Sequence, residues 1–212
     1  AAFNHQHIFV DPAPVASTSF AERQRLFDLP RSSWADYDRQ LISRGGGVFN
    51  RSAKSIPISA EMQRRFDISE NQLAPNQLLT MILKAQVDLL WNGGIGTYVK
   101  SRQESHLDVS DKANDGIRIN GVDLRCRLIG EGGNLGMTQL ARVEFNTHGG
   151  VCFTDFIDNA GGVNCSDVEV NIKILLNQLL ENGKLNPKRR GKLLEQMTED
   201  VAAIVLDNNY MQ

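Results

Sequence analysis

The chain has 212 residues, 41% of them hydrophobic and 23% charged, with a net charge of −2. That is the composition of an ordinary globular protein long enough to bury a real core, and it gives no electrostatic case for nucleic acid or an anionic membrane. No apolar run approaches the roughly 20 residues of a membrane helix, and the first residues lack a basic, then apolar, pattern, so no signal peptide is expected among them.

"AAFNHQHIFVDP" has no initiator methionine and enters a strand pattern at once, so a piece of a longer chain is expected. His5 and His7 could share one strand face, but no acidic or cysteine cluster completes a metal site, and no metal is expected. "HIFVDP" reads as a strand ending at Asp11 and stopped by Pro12. Ser19 and Glu22 have capping-box spacing, which predicts a helix starting there. "SSWADYDRQLI" reads as a second short helix capped by Ser32 or Ser33, and "SRGGGVFNRSAKSIPIS" as a loop. "SAEMQRRFDI" and "PNQLLTMILKA" read as helices. Pro75 opens the latter, and Leu78, Leu79, Ile82 and Leu83 form its apolar stripe.

"VDLLW" reads as a buried strand running into "NGGIG". "IRINGVDLRCRLI" looks like a hairpin turned by Asn120-Gly121, its second strand continuing into "GEGGN". "GMTQLARVEF" reads as a helix ended by His148-Gly149-Gly150, and "VCFTDFI" as the last strand. "SDVEVNIKILLNQLLENG" is an amphipathic helix, with Val168, Ile172, Leu175, Leu176 and Leu179 on one face. Asn186 and Pro187 open a final helix, with Leu194, Met197, Val201 and Ile204 inward. The three cysteines, Cys126, Cys152 and Cys165, lack CxxC spacing and suit buried thiols in a reducing, cytoplasmic setting. The texture predicts an α/β fold, a mostly parallel sheet flanked by helices, with a helical insertion over 12–86.

In such a sheet, ligands bind outside the carboxyl ends of the strands. Those ends read Asp11, "NGGIG", "GEGGN" and "DNAGG". Glycines admit a ligand close to the backbone, and asparagines offer a donor and an acceptor to ribose or carboxamide groups. Asp11 suits a ribose diol or a turn cap. Ser166, expected at a helix start, suits a carboxylate at the dipole's positive end or a cap completed by Glu169. Both pairs of readings stay open at this point.

"TDFIDNAGGVNCSDVE" resembles the PDF-x-x-NAGGV-x-x-S segment of glutamate dehydrogenases, and "GEGGNLGMTQLA" resembles their EGAN-x-P-x-T-x-x-A segment. "DLLWNGGIGTYVKS", "FAERQRLFDLPRSSW" and "SAKSIP" resemble the very large bacterial NAD-specific members. The resemblance implies a partial Rossmann-like domain over residues 1–165 and helices over 166–212 returning toward a substrate domain. It implies NAD as cofactor and L-glutamate/2-oxoglutarate as substrate pair. Asn159 would sit beside the nicotinamide ribose and the reacting carbons. Gly132 and Asn134 would border the cofactor, and Asn92, Gly93 and Gly94 would stand where smaller members carry PAA. Ser166 would take the side-chain carboxylate of glutamate, and Asp11 the adenosine ribose. "EGGNLGMTQ" lacks the proline of the smaller enzymes, so its loop is expected to differ. The phosphate-binding glycine turn, the substrate lysines and the proton-shuttling acid are not in these residues. No catalytic residue is therefore assigned, the isolated chain is expected to be inactive, and its partner is the rest of a homo-oligomeric parent. The alternatives are a non-catalytic nucleotide-binding or regulatory module and an oligomerisation module.

Overall fold

In the computed structural model, which describes residues 1–212, the chain opens on strands β1 (Ala2–Phe3) and β2 (His7–Val10). β2 pairs antiparallel on both sides, with β1 and with β3 (Gly47–Asn50). A central strand covered on both faces has no polar side, which is why "HIFV" does not alternate. Ile8 and Val10 enter one core, while Phe9 enters another and stacks on Trp34 at 4.7 Å between centroids.

Helix α1 spans Ala16–Asp28 and starts before the expected capping box, with Val15 at its N-cap and no side-chain cap. Glu22 is instead buried inside it. Its carboxylate accepts from Arg25 Nε and Nη2 at 2.8 and 2.6 Å and from the Asp38 N–H at 2.7 Å. The Arg25 hydrogen bonds hold that carboxyl below its ordinary range. "SSWADYDRQLI" forms two 3-10 turns, the first closed by a Ser33–Asp36 capping box. The stretch expected as a loop contains β3 and β4 (Ile56–Pro57), and β4 pairs with β5 (Gln72–Leu73). α2 (Ala60–Phe66) is capped by Ser59, and α3 (Pro75–Leu83) opens on Pro75 as the sequence predicts. Leu78 and Leu79 are fully buried, in one core with Ile56, Met62 and Phe66.

β6 covers Leu89–Asn92, and β7 (Val99–Lys100), α4 (His106–Val109) and β8 (Ile119–Asn120) follow. The expected hairpin at Asn120-Gly121 does not form. β8 pairs parallel with β7, and Gly121–Asp123 is a 3-10 turn. The buried Arg118 explains this: its guanidinium donates to the Thr97 carbonyl at 2.8 Å and to Asp115 at 2.6 Å. These bonds tie the residue before β8 back to the segment that leads into β7.

β9 (Leu128–Glu131), α5 (Gln139–Thr147, capped by Thr138) and β10 (Val151–Cys152) come next. Gly149, at φ 87°, stops α5 where the sequence places its end. β10, β9 and β6 form a sheet in that order. The expected last strand is only two residues long, because "DFID" becomes a short helix, α6 (Asp155–Asp158). α7 (Ala160–Glu181) begins at once, six residues before Ser166. The final helix is two, α8 (Pro187–Gln196) and α9 (Thr198–Met211), with Asn186 capping α8. The whole is a mixed α/β fold with parallel pairing and flanking helices, consistent with a partial Rossmann-like fold. No helix is long and apolar enough to cross a membrane.

The chain divides into two compact units. The first comprises Ala1–Leu90, Thr97–Leu128 and Met137–Val151, and it holds both cores just described. The second comprises Trp91–Gly96, Ile129–Gly136 and Cys152–Gln212. In the second unit α7 packs against α9, with Leu176 and Val201 buried and Asn208 donating to Asn164 at 3.0 Å.

Candidate functional site

Every candidate residue except Asp11 falls in the second unit. There the "NGGIG" and "GEGGN" loops touch backbone to backbone: a Cβ on Gly133 would lie 2.4 Å from the Gly94 carbonyl oxygen. A side chain at 133 would therefore part the loops. The indole of Trp91 lies against Gly130 and Gly132, where Cβ atoms would stand 2.6 and 2.3 Å from the ring. Nothing lies within 4 Å of a Cβ on Gly94, so that glycine leaves open surface.

The third strand end joins the same group through α6. Asp158 accepts the Glu131 N–H at 2.9 Å, and Asp155 accepts the Leu135 N–H at 2.8 Å. The two acids are three residues apart on one helical turn and so hold both ends of the 131–135 loop. Leu135 is in the left-handed region at φ 55°, a bend the Asp155 bond helps to hold. Asn159 sits at the joint between α6 and α7 and does not use its side chain as a cap. Its Nδ2 donates instead to Asn134 Oδ1 at 2.7 Å. Gly162 makes room for this, since a Cβ there would be 2.7 Å from Asn159 Oδ1.

Ser166 is not at a helix N-terminus. It is exposed on the seventh residue of α7, so neither the cap nor the dipole-end reading applies to it. Glu169, its expected capping partner, pairs with Lys173 at 2.9 Å and accepts from Cys165 at 3.6 Å. Lys173 holds the Glu169 carboxyl low, while burial and Glu169 push the Cys165 thiol up. Seven residues are close to two full turns, so Ser166 points from the same side of α7 as Asn159.

Asp11 has a different setting. It belongs to the first unit, follows β2 of the antiparallel sheet, and is only 7% exposed. Its carboxylate accepts from the Ser43 hydroxyl and from the Ser43 N–H at 3.2 Å. Those two bonds are what a turn cap makes. A cleft of about 600 Å³ opens in the first unit beside Asp88, Arg125, Arg127 and His148, and none of the candidate residues lines it.

The model of the family described as "Bacterial NAD-glutamate dehydrogenase, catalytic domain" matches residues 1–212. The chain belongs to that family. It is 67% identical over 212 residues to the NAD-specific glutamate dehydrogenase of Pseudomonas aeruginosa, and 60% identical over 211 to that of Halomonas elongata. Against the enzyme of Mycobacterium tuberculosis it is 54% identical over 215 aligned positions, which take in 99% of the chain. In each case it spans 13% of the relative's length. Sequence reasoning missed Trp91, Glu131, Asp155 and Asp158 in this family member. The D-x-x-D spacing of "DFID" was the available signal, hidden by reading Asp155 as strand and Asp158 as the loop after it.

Proposed function

We propose that this chain forms one wall of the cofactor and substrate cleft of an NAD-dependent glutamate dehydrogenase. The parent reaction is the oxidative deamination of L-glutamate to 2-oxoglutarate and ammonia, with hydride passing to NAD. The observation that carries the reading is the 2.7 Å bond from Asn159 to Asn134, with the Gly94–Gly133 contact beside it. Together they gather Asn92, Gly93, Gly94, Gly132, Asn134 and Asn159 in one unit. A surface rich in amide donors and acceptors, with open space over Gly94, suits a nicotinamide riboside. NAD, when bound, supplies the hydride acceptor.

The residues of this chain bind and orient. Asn159 is already held by Asn134 and keeps its oxygen for a ribose hydroxyl or the substrate. Ser166, on the same side of α7, offers a hydroxyl to the distal carboxylate of glutamate. An apolar substrate would want an apolar group there. Residues 1–165 act as the later part of the NAD-binding domain and 166–212 as helices leading to the substrate domain. The family names of the relatives support NAD and glutamate as the pair.

The test is glutamate-dependent NAD reduction by the full-length parent. Ser166→Ala should raise KM for glutamate about tenfold with little change in kcat, and Asn159→Ala should lower kcat by about tenfold or more. Wild-type behaviour of both would sink the reading. The isolated chain, lacking the phosphate turn and the reacting groups, should form no NADH from glutamate.

A further inference from the structure

Trp91 stands one residue before the end of β6, belongs to the second unit, and is 59% exposed. Its indole is nevertheless seated. It lies across Gly130 and Gly132 at the end of the neighbouring strand, where any side chain would strike the ring. Residues two apart on a strand share one side of the sheet, so these two glycines together offer bare backbone to one face of the indole. The exposure belongs to the other face. A Cβ on Gly93 would have only this indole within 4 Å, with Nε1 at 3.1 Å, and a Cβ on Gly94 would have nothing. The open space over the Gly93–Gly94 turn is thus bordered by Trp91. A ligand that approaches Gly132 from this side meets the indole before the backbone.

We propose that Trp91 is a cofactor-binding residue, its open face the platform on which the nicotinamide ring stacks, with a preference for the oxidised ring. This rests on the reading that the Asn92–Gly94 loop binds NAD. The oxidised nicotinamide is planar and cationic, whereas the adenine of the same cofactor is neutral. Indole is the best π face among side chains for a cation, and stacked rings gain beyond the area they bury. Hydride transfer removes the charge of the nicotinamide, so NADH keeps the stacking and loses the electrostatic part. Trp91 gives up no atom, proton or electron in the reaction.

The experiment uses the full-length parent with Trp91→Phe, Trp91→Leu, Gly130→Ala and Gly94→Ala, reading Kd for oxidised NAD, NADH and ADP-ribose, together with Tm. ADP-ribose lacks the nicotinamide. Trp91→Leu should raise Kd for oxidised NAD about tenfold and for NADH about threefold, and leave that for ADP-ribose within about twofold. Trp91→Phe keeps a weaker π face and should fall between wild type and Trp91→Leu. Gly130→Ala keeps the indole but sets a Cβ 2.6 Å from it. It should copy the ligand pattern of Trp91→Leu, which keeps the test open if Trp91→Leu does not fold. Three results would each overturn the proposal: equal losses for oxidised NAD and ADP-ribose, equal losses for oxidised NAD and NADH, or a lower Tm with every Kd unchanged, as for a ring that packs under another part of the parent. Gly94→Ala separates these from failure of the loop reading. Weakened NAD binding there, with Trp91→Leu at wild type, leaves the loop reading standing, whereas wild-type binding in both removes it too.

Discussion

The two units solve different problems with the same chain. The first buries aromatic and branched side chains on both faces of β2 and beneath α2 and α3, and its polar residues mostly serve to tie segments together. The second has little core of its own. Ile129, Cys152, Leu176 and Val201 are its buried apolar residues, while Trp91, Ile95, Phe153, Phe156 and Ile174 are exposed. Its order comes from glycines that let backbones touch and from carboxylates that hold N–H groups. A region shaped by close backbone approach and polar bonds leaves surface for a ligand, whereas a region shaped by side-chain burial spends that surface on itself.

The sharpest way to break the contrast is to cut the same kind of atom from each unit. Leu79→Ala, at a fully buried site in the first, should cost about 2–5 kcal/mol in urea unfolding of the isolated chain. Val201→Ala in the second should cost about 1–2 kcal/mol, and equal losses would mean the units share one cooperative core. Two glycines of the second unit should differ by the room each has. Gly133→Ala drives a Cβ into the Gly94 carbonyl and should cost about 1–3 kcal/mol. Gly94→Ala meets open space and should leave Tm unchanged, while weakening NAD binding by the parent. The smallest effect concerns charge in the first unit. Glu22 has its carboxyl lowered by Arg25, so its contribution is complete above the ordinary value of 4.5 and is lost as pH falls through the lowered one. Wild type minus Glu22→Gln should therefore differ by about 1 kcal/mol at pH 7, Arg25 being half in water, and the difference should shrink as pH falls below 4.5.

The contrast also governs what the sequence could say. Elements set by local chemistry were legible: the "SAEMQRRF" helix, Pro75 at the head of α3 with its apolar stripe, the end of α5 at Gly149, and the Asn186-Pro187 start. Elements set by distant partners were not. Asn120-Gly121 is a strong turn signal, yet the buried Arg118 draws β8 to β7. "NAGGV" reads as a loop because each glycine costs a helix about 1 kcal/mol. In the fold those glycines lie inside α7, Gly162 clearing the Asn159 side chain and Gly161 facing Asn209. Once α7 starts at Ala160, Ser166 ceases to be a cap. The asparagines and glycines of the site were readable as types at strand ends, but the acids that hold them, Asp155 and Asp158, were masked by the strand and loop readings.

The joint at Asn159 has one more consequence. Because α7 is unbroken from Ala160 to Glu181, the separation of Asn159 and Ser166 is ruled off by the helix at about 1.5 Å and 100° per residue. Substitution can change what stands at either mark but not the distance between them. Only a change in length can do that: one residue inserted after Val163 would swing Ser166 about 100° off its line, while seven would restore the bearing about 10 Å further away. Variation in this stretch of the gene should therefore be rigid in length.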